Sequence, residues 1–344
     1  MTDFKIREIN VDSDDDMRML NELDEACDLE AYGAISPMTV QERRAMFAPS
    51  NYKKSQHFVA EVAEDSGVRI VGIGVCGMPL NENKETAYVG LAVHPQYRGC
   101  GIGSALANQL VQAARENERT RLSGWGSTTV DADANDPSLP WNRLAVRMGM
   151  QKKNIAHQKT LKLPLDPKLL QELDAKVAEK IGDYRIELWP DGIPEDQLEN
   201  YGLLMRQLDL DEPTGEHQLE APEYPADRVR EIYEKQKAMG CQNVIAVAFS
   251  PEGEIAGQSE IMIKTTPGTS MGYQENTLVM PGHRGHALGL AMKLANHRQL
   301  AKVAPHIKVL ITGNSSLNTQ MNAINKQLGY EAAVQELAYQ GDIA

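Results

Sequence analysis

Apolar and polar positions alternate over residues 4–9 and give way to an acidic run at 12–16, which predicts a strand over 4–10 and a helix start after it. The same pattern returns at 184–188, followed by a proline-bearing turn from Pro190. Between these points the pattern predicts helices near 14–27 and 38–48 and strands near 54–63, 68–76 and 85–93. A glycine-rich turn then opens a helix near 101–116, with a strand near 121–127, a helix near 138–148 and a last strand near 155–163. The second half predicts strands near 184–189, 242–249, 255–263 and 273–279, a helix near 286–304, a strand near 307–313, a helix near 317–328 and a strand near 330–339. Residues 165–182 carry apolar positions at helical spacing and end in Gly182, as a helical connector would.

Val93, Pro95, Arg98, Gly99 and Gly103 are matched by Val279, Pro281, Arg284, Gly285 and Gly289, each pair separated by 279 − 93 = 186. The strand at residue 4 and the helix end at Gly149 have counterparts at 184 and Gly329, both 180 residues on. Landmarks repeating in order at nearly constant spacing indicate an internal duplication. The expected division is a first domain over 1–164, a helical linker over 165–182 and a second domain over 183–344.

Composition agrees with two folded domains: 344 residues, 42% hydrophobic and 24% charged. The net charge of −13 argues against a phosphate-backbone binder, so no nucleic-acid partner is expected. No apolar run approaches the ~18 residues needed to span a bilayer, and the N-terminus has no apolar signal segment. The four cysteines, Cys27, Cys76, Cys100 and Cys241, form no CxxC pair. His57 and His94 have no partners at metal-ligand spacing, so no metal is expected. These features together predict a cytoplasmic protein; the sequence does not set its oligomeric state.

The chemistry is concentrated where a strand ends at Val93 and a turn with Gly99, Gly101 and Gly103 leads into a helix. Backbone N–H groups at a helix N-terminus bind anions, and glycine lets a phosphate approach the backbone closely. A P-loop would end in Gly-Lys-Ser/Thr, and a dinucleotide fingerprint would read GxGxxG after the first strand; neither is present. The pattern Val-x-Pro-x-x-Arg-Gly-x-Gly-x-Gly after a fourth strand resembles the acyl-CoA loop of the GNAT superfamily of N-acetyltransferases. Its Arg/Gln-x-x-Gly-x-Gly/Ala signature is met by Arg98, Gly101 and Gly103, and in the second copy by Arg284 and Gly289. Ala287 stands there in place of the middle glycine, at small cost if its φ is negative. The second half, including residues 277–300 and 312–330, resembles tandem GNAT proteins with the two-domain plan of mycothiol synthase.

The resemblance implies an α/β fold of the α+β mixed-sheet kind: two tandem GNAT domains, each a mostly antiparallel twisted sheet flanked by helices. It also implies strands four and five splayed to admit acetyl-CoA as co-substrate, with no metal. The implied contacts in the first copy are Val93, Arg98, Gly99, Cys100, Gly101, Ile102, Gly103 and Ser104. In the second they are Val279, Arg284, Gly285, His286, Ala287, Leu288, Gly289 and Leu290, with Asn314 and Asn318 after the fifth strand. The family's usual base sits on the fourth strand, where the second copy has Glu275 and the first, by the offset, Val89; Glu260 on the preceding strand is a second candidate. The usual acid, a tyrosine four residues before the helix-ending glycine, is replaced by Asn325 and by Ala145, so Asn325 is left as a hydrogen-bond donor to the leaving thiolate. An acidic segment with Asp209, Asp211, Glu212 and Glu216, read as a loop, would favour a cationic acceptor. The expected activity is acetyl transfer to a primary amine of a small cationic molecule, with the second copy as the working one. An acyl-CoA sensor or scaffold without transfer, and a protein acetyltransferase, stand as alternatives.

Overall fold

The computed structural model describes residues 3–65, 67–213 and 215–343. The first half runs β1 (Phe4–Glu8), α1 (Asp14–Tyr32), α2 (Val40–Met46), β2 (Lys53–Glu64), β3 (Gly67–Pro79), β4 (Thr86–Val93), α3 (Ile102–Glu116), β5 (Arg121–Thr129), α4 (Pro140–Arg147) and β6 (Gln151–Lys162). The connector holds α5 (Pro167–Ala178). The second half repeats the order as β7 (Arg185–Trp189), α6 (Leu198–Asp211), α7 (Ala226–Ala238), β8 (Cys241–Phe249), β9 (Ile255–Lys264), β10 (Met271–Val279), α8 (Leu288–Val303), β11 (Val309–Ser315), α9 (Thr319–Leu328) and β12 (Glu331–Asp342).

Local chemistry explains the boundaries. Ser13 caps α1 by accepting from the Asp16 amide, and Gly33, at φ 64°, ends it five residues beyond the predicted stop. Thr39 and Glu42 form a reciprocal capping box at α2. Asp209 and Asp211, expected in a loop, lie in the last turn of α6.

All twelve strands join one sheet in the order β1-β2-β3-β4-β5-β12-β6-β11-β10-β9-β8-β7. This order contains an exchange. The final strand of the chain, β12, pairs with β5 of the first half, and β6 pairs with β11 of the second. Each half-sheet is therefore completed by the other half's last strand, and β6 and β12 pair antiparallel at the centre. The core follows the strands: Leu337 and Tyr339 of β12 pack with β2–β5 and α3, while Leu161 of β6 packs with β9, β11 and α8. The sheet is thus not divided where the chain is divided. The mostly buried ion pair Arg228–Glu82, at 2.7 Å, further ties the halves together.

In both halves strands four and five are parallel and then part. β4 pairs with β5 only over residues 86–89 and 121–124, and β10 with β11 only over 271–273 and 309–311. Beyond those points a V-shaped gap opens toward the glycine loop, as the resemblance implied.

Candidate active site

The two loops are built alike. Arg98 donates from Nε to the Val93 carbonyl at 3.1 Å and forks onto Glu30 of α1. Arg284 repeats the bond to the Val279 carbonyl at 3.1 Å and pairs with Asp211 of α6. Each guanidinium braces its loop and already has an acidic partner. Helices α3 and α8 begin without a side-chain cap, so their first-turn N–H groups remain available to an anion. Gly101 takes φ 91° and leaves open space where a Cβ would stand. Its counterpart Ala287 takes φ 56°. The expectation of a negative φ there is corrected: the alanine is left-handed, a strain of about 1–2 kcal/mol. The side chains of Ile102, Leu288 and Leu290 point into the core, so these positions offer only backbone to a ligand. His286 packs its ring at 4.8 Å from Tyr184, whose hydroxyl bonds His283, and is not part of the cavity wall. Cys100 is half-buried at the first loop.

Beyond the loops the halves diverge. A cavity of about 890 Å³ fills the gap between β10 and β11. It runs from Arg284 and Gly285 at its mouth to Gln274 and Thr312 where the strands meet. Lys176 of α5, Lys180 just after it and Glu212 after α6 form part of its wall. In the first half, Gly126 of β5 accommodates the Trp141 ring of α4 so closely that a Cβ there would lie 2.0 Å from it. Trp141, Leu91, Val93 and Leu144 are all partly buried against the core of the first half.

The second difference is a β-bulge. Tyr88 pairs with Gly77 and Val93 with Gly72, five residues apart on both strands. In the second half Tyr273 pairs with Met262 and Val279 with Gly257, six residues against five. The extra residue lies at Glu275–Asn276, opposite Glu260, where the register shifts. The offset between copies is 273 − 88 = 185 before it and 279 − 93 = 186 after it. Glu275 and Asn276 together thus replace Gly90, and Val89 corresponds to Gln274. A bulge leaves backbone groups outside the ladder and re-aims a side chain. Here it turns Glu275 into the cavity wall. The side chain is exposed to the cavity solvent, and the protein crowded around it desolvates the carboxylate enough to raise its pKa.

Glu260 is not on that wall. It is 2% exposed, and its Oε2 accepts bonds from Tyr233 at 2.6 Å and Tyr201 at 3.2 Å. Burial pushes its pKa up to about 7, and the Glu275 charge acts in the same direction. Enclosed by two tyrosines, it has no access to a substrate in the cavity, which corrects its candidacy as base. Asn325 is also displaced: at 0% exposure it donates to Asn314 Oδ1 at 2.6 Å behind the cavity wall. It positions Asn314 and has no path to a leaving sulfur. Asn314 and Asn318 do line the cavity, and Asn318 also caps α9 through the Met321 amide at 3.1 Å. Of the acidic segment, Asp209 accepts from Tyr224 at 2.8 Å and Glu216 lies 3.7 Å from Lys153. Only Asp211 and Glu212 reach the cavity.

Sequence reasoning missed Lys293. This α8 residue is 1% exposed, lines the cavity and corresponds to Ala107 in the first half (293 − 186 = 107). A single lysine inside the apolar run 288–295 was the available signal. Among the described residues no group of three or more His, Cys, Asp or Glu side chains gathers as a metal site, and no helix is long and apolar enough to cross a membrane.

The model of the acetyltransferase (GNAT) family matches residues 19–149. No curated protein matches the chain by sequence. Among solved structures, a tandem GNAT protein from the clavulanic acid biosynthesis pathway superimposes with a TM-score of 0.75 at 21% identity, over 99% of this chain and 98% of that one. A GCN5-related N-acetyltransferase from Sphaerobacter thermophilus gives 0.63 at 13% identity, over 98% and 95%. The Saccharomyces cerevisiae N-myristoyltransferase with bound myristoyl-CoA gives 0.59 at 12%, over 100% and 80%. The family match falls on the first half, while the cavity described above lies in the second. Residues 19–149 thus match the acetyltransferase (GNAT) family model, and the chain as a whole has the fold of a tandem GNAT protein.

Proposed function

We propose that the protein transfers an acetyl group from acetyl-CoA to a primary amine of a small cationic molecule, in the cavity of the C-terminal half. The observation that carries this reading is the coincidence, in the C-terminal half, of the open gap and the bulge that aims Glu275 into it. The residues present fit acyl-CoA. The uncapped start of α8 and the open space at Gly285 suit a diphosphate, Lys176 and Lys180 add positive charge, and the gap suits a thin polar chain. Acyl-CoA supplies the acyl group as an activated thioester.

The protein's share is positioning and proton transfer. Glu275 accepts the proton that the ammonium must lose before nitrogen can attack. Its raised pKa makes it a stronger base than an ordinary carboxylate. Asp211 and Glu212 at the cavity edge favour a cationic acceptor. The N-terminal half then serves as scaffold: it keeps its glycine loop, but Val89, Gly90 and Ala107, which stand where the second half has Gln274, the Glu275–Asn276 bulge and Lys293, supply no proton carrier.

The test is release of free thiol from acetyl-CoA against a panel of primary amines, comparing polyamines and amino sugars with neutral and anionic amines. The expected result is release that depends on the amine and favours the cations. Binding of acetyl-CoA with no amine-dependent release would support a sensor or scaffold instead.

A further inference from the structure

Lys293 has no role in the chemistry above, yet its placement is unusual. It lies on α8 four residues after Gly289, so it shares the helix face that looks into the gap. Its Nζ stands 6.0 Å from the Tyr330 ring centroid. Tyr330 immediately precedes Glu331, which pairs with Thr160, which pairs with Ile311, which lies beside Tyr273. That row of residues is the level at which β10 and β11 cease to pair. The ammonium therefore stands at the closed end of the cavity, and the anion-binding loop is at the open end.

Among the described residues no ion pair or hydrogen bond involves Lys293, although the Glu275 carboxylate lines the same cavity. The charged or titratable groups around it are Lys159 of β6, His297 one turn further along α8, and Tyr330. Lys159 is bonded to Asn322, both ring nitrogens of His297 lack partners, and so does the Tyr330 hydroxyl. Burial, helped by the Lys159 charge, pushes the Lys293 pKa down to about 7. Burial likewise keeps His297 neutral, at about 3, and pushes Tyr330 up, so neither offers Lys293 a charge.

We propose that Lys293 is the proton donor to the leaving sulfur, because its unpaired ammonium stands at the closed end of the cavity where the thioester end of a bound acyl-CoA must lie. The proposal rests on the reading that this cavity takes acyl-CoA. The group that sequence reasoning sought at Asn325 comes instead from α8. The step balances. The amine nitrogen forms the C–N bond to the acyl carbon, and the C–S bond breaks with its electron pair going to sulfur. Sulfur takes a proton from Lys293 Nζ, while Glu275, having passed the ammonium proton to the cavity solvent, takes the second proton that nitrogen loses as the amide forms. Solvent then restores the ammonium and the carboxylate. An amine titrating near neutrality is a better match for a thiol of pKa ~8.5 than an ordinary lysine of ~10.4.

The test compares CoA with desulfo-CoA by calorimetry at pH 8, in the wild type and in Lys293→Met, and follows the ultraviolet absorbance of the bound thiolate across pH. The wild type is expected to prefer CoA by about threefold at pH 8, as follows from a bound thiol titrating roughly one unit below the free value of ~8.5. Lys293→Met is expected to bind both ligands equally and to lose the shift. Equal binding of the two ligands by the wild type, or a preference that survives in the variant, would overturn the donor role. Failure of the wild type to bind either ligand would instead overturn the acyl-CoA reading beneath it.

Discussion

Glu275→Gln is expected to lower kcat by about 10²- to 10⁴-fold near neutral pH while leaving acetyl-CoA affinity almost unchanged. Glutamine keeps the shape and the hydrogen bonding but cannot hold the ammonium proton. The anion-binding start of α8 lies at the other end of the cavity, so binding of the diphosphate is not touched. The pH profile gives the stricter readout. Desolvation raises the Glu275 pKa, and a base works only when ionised, so wild-type kcat rises as pH increases through that raised value. The variant should lose this limb. Glu260→Gln is the control, since Glu260 has no opening to the cavity and should change the rate far less. A variant at position 275 with normal kcat and an intact acid limb would remove Glu275 as base.

Lys293→Met is expected to stabilise the fold at pH 7 by on the order of 3 kcal/mol, although it should impair turnover. In the folded protein the lysine pKa is depressed from 10.5 to about 7 by burial. Above the unfolded value both states carry a neutral amine and nothing is lost. As pH falls below it, the unfolded chain gains a proton that the folded chain resists. The cost grows until pH reaches the folded value and is constant below that. Methionine has a similar unbranched shape and carries no charge. The gain measured by urea denaturation should therefore be large at pH 7 and nearly absent at pH 10.5. A variant less stable than wild type at pH 7 would show that the ammonium is well paired in the fold. Retaining a destabilising group at the one place the cavity needs a proton carrier is the usual exchange of stability for function.

Much of this was legible in the chain. The repeat, the two glycine loops and the parted strands followed from spacing and resemblance. The strand exchange did not, because the alternation in residues 155–163 or 330–339 fixes which side chains face the core and says nothing of the neighbouring strand. The bulge was hidden in a single residue: the offset of 186 was read from the loop, and its change from 185 shows only when the strands are paired. The left-handed Ala287 was obscured for a similar reason, since residue type alone does not reveal φ. Counting back from Gly329 did reach the right helix position. There, however, the fold uses Asn325 to hold Asn314, and a helix earlier in the chain supplies the titratable group. Lys293 was overlooked because one lysine in an apolar helix reads as a snorkelling surface residue until its burial is known.

The central claim is that the C-terminal cavity alone takes acyl-CoA. A Cβ at Gly289 would stand 3.4 Å from Ile324 and 3.9 Å from Val279, on the cavity side, so a carboxylate there would face the diphosphate. Gly103 is its counterpart in the first half (289 − 186 = 103). The deciding measurement is calorimetric titration of acetyl-CoA into the wild type, Gly289→Glu and Gly103→Glu. One site in the wild type, lost in Gly289→Glu and kept in Gly103→Glu, is the predicted result; two sites in the wild type, or loss in Gly103→Glu with binding kept in Gly289→Glu, would contradict it.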